Sequence, residues 1–196
     1  MSEIQKKPLY KRWWVWTLGV VIVAGVMGGE RDAAPGGKSG PALPAAEANF
    51  VSLVSSAQKE ASKADNDMQR GGIKAKRDQG LCKSIQGLGA QDWVGKVTQI
   101  GANSDGKGVF AVELAKDITV KTWNNDFSDI MHKTLFQPGS PLFNTASNLK
   151  KGQMVKFSGT FFKGTEGDCV YESSLGLRGK LMDPEFIFRF SSITPL

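Results

Sequence analysis

The longest uninterrupted apolar stretch of the chain lies close to its N-terminus. Residues 13–29 read WWVWTLGVVIVAGVMGG and contain no charged side chain. A stretch of this length is at the lower limit for a helix that crosses the hydrocarbon core of a membrane. The pattern therefore predicts a transmembrane helix over residues 13–29, preceded by a basic cytoplasmic flank over residues 1–12.

The residues around this segment indicate its orientation. Basic side chains precede it, and tryptophans occupy its first turn, where an interfacial aromatic belt is found. These residues are Lys6, Lys7, Lys11, Arg12, Trp13, Trp14 and Trp16. Because basic flanks stay in the cytoplasm, we expect a single-pass protein of the cytoplasmic membrane with its C-terminal domain outside the cytoplasm. A cleaved signal peptide and a buried soluble helix are the alternatives, although the run ends without a good small-x-small cleavage site.

A flexible linker and a helical neck are predicted next. Residues 30–48 are rich in Gly, Ala, Pro and Ser and have no apolar periodicity, which is typical of a linker. Over residues 49–88, apolar side chains recur every three or four positions and predict an amphipathic helix, interrupted at Gly71-Gly72 and resumed over 73–85. Its apolar face could pack on the chain's own domain, could mediate oligomer formation as a short coiled coil, or could accompany a basic stripe that binds lipid headgroups.

From residue 89 to residue 196 the pattern changes to that of short strands. Runs rich in β-branched and aromatic residues predict strands at 93–100, 109–115, 118–123, 154–162, 168–173 and 186–193. A short helix is expected between the third and fourth strands, ending before Gly152, whereas residues 176–185 are expected to break the pattern. The predicted fold class is α+β overall: a mainly β, OB-fold-like small barrel with N-terminal helices, preceded by the transmembrane helix.

Two motifs carry a resemblance to known barrel domains. Residues 92–97 (DWVGKV) open the first strand with a glycine where barrel strands bend, and residues 148–161 (NLKKGQMVKFSGTF) lead into an alternating strand. They resemble the first and fourth strands of bacterial membrane-anchored or exported OB-fold domains of uncharacterised function. The resemblance covers residues 90–193 and implies a domain on the periplasmic side of the bacterial inner membrane. It does not specify a ligand, because OB-folds host many unrelated partners.

Charge narrows the class of partner. The chain of 196 residues has a formal net charge of +6, which by itself would favour nucleic acid or an anionic membrane as a partner. Residues 90–196, however, contain twelve basic and eleven acidic side chains, so the predicted barrel is almost neutral. A nucleic-acid interface needs basic side chains concentrated on the binding domain, and nucleic acid is therefore an unlikely partner.

The two cysteines are expected to pair. Cys82 ends the predicted neck and Cys169 lies in a predicted late strand. In an oxidising compartment an even pair usually forms a disulfide, which here would fasten the neck to the barrel. Two buried thiols or one reactive thiol are the alternatives.

No catalytic, metal or cofactor site is predicted. The sequence contains no GxSxG, P-loop, GxGxxG or HExxH motif, and His132 is its only histidine. The clustered acidic residues do not have EF-hand spacing, so solvated loop carboxylates are the expected interpretation. We therefore expect a protein that is not an enzyme.

The candidate binding residues lie at the end of the third predicted strand and in the long connection from there to the fourth. They are Trp123, Phe127, His132, Phe136 and Phe143. Long loops in small domains often carry function, and residues 128–143 are the preferred contact loop; the alternative for Trp123 is that it closes the barrel core. The expected function is a non-enzymatic, tethered envelope module that binds a protein or a small ligand. Single-stranded nucleic-acid binding through the barrel is the alternative.

Overall fold

The computed structural model describes residues 43–85, 87–165 and 167–196. They form a mixed α+β structure in which a five-stranded sheet closes into a ring. Within these ranges, no helix is both long enough and apolar enough to cross a membrane. The predicted span over 13–29 and its flanking residues lie outside the described part of the chain.

Two helices precede the sheet, and their limits differ from the prediction. Helix α1 (Ala45–Ala61) begins inside the range expected to be linker, directly after Pro44. Helix α2 (Asp67–Ser84) runs through Gly71-Gly72, and the interruption falls at residues 62–66 instead. The break lies there because the Asn66 side chain caps α2, accepting the Gln69 N–H at 3.0 Å. The cost of two helical glycines, about 1 kcal/mol each, is offset by the contacts that hold α2 on the domain.

The sheet contains five strands in the order β1-β2-β3-β5-β4, and β4 pairs back to β1. Their limits are β1 (Gly89–Ala102), β2 (Gly108–Ala115), β3 (Ile118–Lys121), β4 (Met154–Phe161) and β5 (Glu185–Pro195). The pair β3–β5 is parallel and the other four pairs are antiparallel. The strand expected over 168–173 is reduced to isolated bridges at Val170 and Glu172, and β3 ends before Trp123.

Three short helices lie in the connections. Helix α3 (Asp126–Asp129) and helix α4 (Pro141–Ser147) follow β3, and α4 is the helix expected before Gly152. Helix α5 (Gly176–Met182) lies between β4 and β5, where the sequence predicted only a break. Its Leu181 is buried in a small apolar cluster with Ala57 and Ala61 of α1. Packing against α1 therefore stabilises a helix that its two glycines disfavour.

Glycines permit the close strand contacts that bend the sheet. A Cβ on Gly95 of β1 would lie 2.4 Å from Val112 Cγ1, and one on Gly159 of β4 would lie 2.2 Å from the Arg189 carbonyl oxygen. Neither position can accept a larger side chain without local displacement. The glycine of the DWVGKV motif thus allows the close approach of β2 to β1.

Aromatic side chains fill the interior of the ring, and α1 closes one end of it. Phe50 of α1 is fully buried, with its ring centroid 5.0–5.3 Å from those of Trp93, Phe161 and Phe186. Val54, Ala57 and Ala61 continue this buried face. The apolar face of α1 therefore packs on its own domain, the first of the three uses expected for it, and is not available for a coiled coil.

The neck is also fastened to the sheet covalently. Cys82 of α2 and Cys169, in the connection between β4 and β5, form a disulfide with their Cα atoms 5.2 Å apart. This is the pairing predicted from the sequence. It fixes the end of α2 beside the segment that leads into α5.

A cluster of buried charges lies on the same two segments that this disulfide joins. Arg77 of α2 has no exposed side-chain surface and contacts Glu172 and Asp78, with 2.7 Å between its Nη2 and Asp78 Oδ1. Its Nη1 also donates to the Lys180 carbonyl of α5 at 2.6 Å. Asp168 accepts from both Lys74 and Lys180. Because these carboxylates and cations come from three segments, the cluster joins α2 and α5 to the β4–β5 connection.

A buried carboxylate at the start of α1 completes the contact between helix and sheet. Glu47 is fully buried, and its Oε2 accepts the Val94 N–H at 2.8 Å. Its Oε1 has no hydrogen-bond partner among the described residues. Val94 precedes the part of β1 that pairs with β2, which begins at Lys96. Glu47 thus occupies an edge of β1 that β2 does not reach.

Burial raises the pKa of Glu47 to about 7, against a smaller opposing effect of the Val94 hydrogen bond. The folded state therefore holds a proton that the unfolded state has already released above about pH 4.5. We expect the free energy of unfolding to fall as the pH rises from about 4.5 to about 7, by about 3 kcal/mol from this residue.

The variant Glu47→Gln, which keeps an acceptor for Val94, should lack this dependence. Urea unfolding of the wild type and the variant at about pH 5 and about pH 8 measures it. The free energy of unfolding of the variant, relative to that of the wild type, should be about 3 kcal/mol higher at pH 8 than at pH 5. A constant difference at both pH values would contradict the assignment.

Candidate functional site

The connection from β3 to α4 is held in one conformation by hydrogen bonds within itself. The buried carboxylate of Asp129 accepts the Thr134 N–H at 2.6 Å, the Thr134 hydroxyl at 2.7 Å and the Leu135 N–H at 3.0 Å. The Asn125 side chain caps α3 by accepting the Ser128 N–H at 2.9 Å. A loop with its own buried hydrogen bonds presents its exposed side chains without a large ordering cost.

Two of the candidate binding residues meet inside this loop. The indole Nε1 of Trp123 donates to Nδ1 of His132 at 3.1 Å, and the Trp123 backbone N–H donates to Thr134 Oγ1 at 2.8 Å. Indole nitrogen can only donate, so Nδ1 of His132 is the acceptor in this hydrogen bond. Both side chains are half-buried.

Side chains from β5 and from the residues that follow β4 extend this pair into a larger surface. The His132 ring lies 4.4 Å from that of Phe162 and 4.9 Å from that of Tyr171, and Trp123 lies 5.9 Å from Tyr171. The exposed guanidinium of Arg189 lies over the Phe162 ring, 5.0 Å from its centroid. We call Trp123, His132, Phe162, Tyr171 and Arg189 the aromatic surface.

The charge of Arg189 distinguishes this surface from a purely structural cluster. Arg189 forms no salt bridge with any residue in the described ranges, whereas Arg77 lies in a network of carboxylates. A guanidinium stacked on an aromatic ring retains donors that can bind a carboxylate or a phosphate in a planar, two-point contact. The aromatic surface therefore combines flat apolar area with an anion-binding group.

A second exposed feature lies at the outer end of the same loop. Phe127 is 87% exposed, Ile130 is 61% exposed and Met131 is 84% exposed, all within one turn around α3. Asp126, between Trp123 and this turn, accepts from Lys107 and from the Asn103 amide, which ties the turn to the β1–β2 hairpin. We call Phe127, Ile130 and Met131 the apolar tip.

The remaining candidate residues contribute to the core. Phe136 is buried, and its ring lies 5.7 Å from that of Phe110. Its backbone bridges to Gly108 of β2, which draws the side chain inward. Phe143 of α4 is half-buried against the same core. Phe136 was expected in the binding loop, and the structure corrects this because its side chain is buried, whereas Phe143 stays a predicted contact residue. Replacing residues 128–143 as a unit would remove core side chains.

Three residues of the aromatic surface were missed in the sequence. Phe162 and Tyr171 lie at either end of the irregular segment after β4, and nothing in their local pattern indicates that they meet. Arg189 did leave a signal: it is the only charged residue in the strand that reads FIFRFSSI. Alternation places it on the outward face of a strand whose other face is aromatic.

The described residues contain no group of three or more His, Cys, Asp or Glu side chains placed to hold a metal ion. Comparison of the chain with protein-family models, with curated proteins and with solved structures finds no match.

Proposed function

We propose that this protein is a non-enzymatic binding module of the bacterial cell envelope, built on an OB-fold and anchored by one N-terminal helix in the inner membrane. The aromatic surface is its contact site, and the ligand is an envelope protein or a small molecule. Arg189 on Phe162, without a carboxylate partner among the described residues, is the observation that carries this proposal.

The strand order supports assignment to the OB-fold. A five-stranded ring in the order β1-β2-β3-β5-β4, with a helix between β3 and β4, is consistent with a Greek-key barrel of this class. In such domains the ligand face is flanked by the loops after the first and fourth strands. Phe162 and Tyr171 belong to the connection after β4, which is consistent with that placement.

The proposed location rests on the sequence together with the disulfide. The apolar run over 13–29 follows a basic flank, an order that places the following domain outside the cytoplasm. Disulfides persist in oxidising compartments, and Cys82–Cys169 would be stable in the periplasm. The proposal of a non-enzymatic role rests on the lack of a recognised catalytic motif in residues 1–196.

The chemistry of the surface limits what the ligand can be. Stacked rings favour a flat or apolar group, and Arg189 favours an anionic group beside it. Each charge-assisted hydrogen bond to Arg189 is worth about 1.5–3 kcal/mol, or about 10- to 100-fold in affinity. A ligand with a carboxylate or phosphate next to an apolar group fits both requirements.

The test uses the photo-reactive amino acid p-benzoylphenylalanine at position 171 of the full-length chain in intact bacterial cells. We expect a discrete adduct whose yield falls about tenfold in the Arg189→Ala variant, because the anion contact is lost. Arg178→Ala, at an exposed arginine of α5, is the matched control and should keep the adduct. An adduct yield unchanged by Arg189→Ala would contradict the proposal, provided that the thermal midpoint of the variant is also unchanged.

Single-stranded nucleic acid is the second candidate, because aromatic side chains beside an arginine also form the stacking platforms of such sites. The near-neutral charge of residues 90–196 argues against it. Fluorescence anisotropy of a labelled oligothymidine with the full-length protein in detergent distinguishes the two. Binding that weakens steeply with added salt and is lost in Arg189→Ala would favour nucleic acid.

A further inference from the structure

We infer that the apolar tip, formed by Phe127, Ile130 and Met131, seats the domain on the lipid surface of the membrane that holds the chain. The inference rests on the proposed N-terminal anchor and concerns a surface other than the aromatic surface. Three large apolar side chains are exposed here on one short turn. Neighbouring exposed apolar side chains of this kind are found at membrane and protein interaction sites.

The size and shape of the tip favour lipid over a protein partner. A stable protein interface buries about 800 Å² on each partner, and three neighbouring side chains on one turn supply only a fraction of that area. Insertion at a membrane interface has no such requirement, because each apolar side chain partitions into the headgroup and acyl boundary separately. Phe, Ile and Met are all residues for which this transfer is favourable.

The turn is built to keep its shape when it inserts. Below the tip, Asp129 holds three donors from residues 134 and 135, and Asn125 caps α3. From the side, Asp126 is held by Lys107 and by Asn103. The backbone that carries these side chains is already ordered and therefore loses little conformational entropy when the tip inserts.

The charged side chains around the tip are of both signs. Both acidic residues of α3 are neutralised from within: Asp126 pairs with Lys107, and Asp129 is buried under its three donors. Lys133, two residues after Met131, is exposed and forms no salt bridge with any residue that the structure describes. Asp105, in the β1–β2 turn, is an exposed carboxylate within hydrogen-bond distance of Asp126, so Lys133 is the cation beside the apolar side chains that contacts acidic headgroups.

The chain that precedes the domain is short enough for the tip to stay in contact with the membrane even if its insertion is weak. Residues 30–42 separate the predicted anchor from the first described residue, Leu43, and can span at most about 45 Å. A tether of this length keeps the domain at a local concentration of about a millimolar at the surface. At this local concentration the three side chains are inserted in the membrane for much of the time, although they would bind a vesicle only weakly without the tether.

The experiment uses the full-length protein reconstituted in vesicles of phosphatidylethanolamine and phosphatidylglycerol. The photo-reactive p-benzoylphenylalanine replaces Phe127 in one sample, Met68 in a second and Leu175 in a third. Met68 and Leu175 are 90% and 91% exposed, so they match Phe127 in accessibility. After irradiation, mass spectrometry separates lipid adducts from crosslinks to a second copy.

We expect lipid adducts at position 127 in about tenfold excess over positions 68 and 175, and a loss of most of that excess in the double variant Ile130→Ser/Met131→Ser. Equal lipid yields at the three positions, or crosslinks to a second copy as the main product at position 127, would overturn the inference. The same irradiation in intact cells must also give lipid as the main product, and a dominant protein adduct there would overturn it.

Extraction of the cell membranes with alkaline carbonate separates this inference from the proposed function. If the chain is released from the membrane, the anchor fails, and both the proposed location and the seating of the tip are overturned. If the chain stays in the membrane and position 127 gives no lipid excess, only the seating of the tip is overturned.

Discussion

Replacing Arg77 with methionine is expected to lower the free energy of unfolding by about 3–5 kcal/mol. The Arg77 side chain is completely buried and is the cation that faces both Glu172 and Asp78. Methionine is of similar length and fills most of the space, so the loss of packing is small. The cost arises because the carboxylate of Glu172, with only 1% of its side chain exposed, is left without its counter-ion.

The pH dependence of this loss identifies its cause. Burial already raises the pKa of Glu172 above its ordinary value, with Arg77 as the main opposing influence. Without Arg77 that pKa rises further, so the folded variant holds a proton that the unfolded chain releases. The variant should therefore lose less stability near pH 5 than near pH 8, as measured by urea unfolding at both values.

Two further variants test the account of Arg77. Lys76→Met changes the neighbouring residue of α2. The Lys76 side chain is 77% exposed, and its Nζ lies 3.4 Å from Glu60 Oε1 in a salt bridge at the surface. This substitution should therefore lower the free energy of unfolding by less than about 0.5 kcal/mol. Adding Glu172→Leu to Arg77→Met removes the orphaned charge and should recover about half of the loss. If the double variant had a lower free energy of unfolding than Arg77→Met alone, the buried pair would not be the origin of the effect.

The repeating parts of this fold could be predicted from the sequence. Runs rich in β-branched and aromatic residues located β1, β2 and β5, and alternation of apolar and polar residues located β4. The short helix predicted to end before Gly152 is α4, which Ser140 caps by accepting the Phe143 N–H. These signals are local, and short segments of sequence contain them completely.

The elements that the sequence predicted wrongly depend on contacts between distant segments. Helix α2 passes through two glycines because Arg77 and the disulfide hold it from the sheet side. Helix α5 forms in a glycine-containing segment because Leu181 packs against α1 and its Lys180 carbonyl accepts from Arg77. Phe136 looked like a loop residue and is core, because it bridges to Gly108. No local pattern contains this information.

The candidate site divides in the same way. Trp123, His132 and Phe127 were predicted from the length of the loop and its aromatic content, and the structure places all three with half-buried or exposed side chains. Phe162 and Tyr171 join Trp123 and His132 through the closure of the sheet and the disulfide-bonded segment after β4. Closure of a ring is a non-local event, so only the structure could assemble the aromatic surface.

Removing the disulfide by the double substitution Cys82→Ser/Cys169→Ser is expected to lower the free energy of unfolding by about 4 kcal/mol. The bond closes a loop with a sequence separation of 87, and restricting so long a loop in the unfolded chain accounts for a loss of this size. Thermal and urea unfolding, with and without a phosphine reductant, measure it. The reductant should destabilise the wild type by a similar amount and leave the double variant unchanged.

The disulfide and Arg77 should also depend on each other. Cys82 lies about one helical turn beyond Arg77 and Asp78, and Cys169 adjoins Asp168, so the bond holds both sides of the charge cluster together. Without the disulfide, water can reach Glu172 and Asp168 more easily. The loss of Arg77 then destabilises the fold less, because the unpaired carboxylate of Glu172 is partly hydrated. A double-mutant cycle between the Cys82→Ser/Cys169→Ser pair and Arg77→Met should give a coupling of about 1–3 kcal/mol. Strict additivity would mean that the two attachments act independently, with the neck held at two separate points.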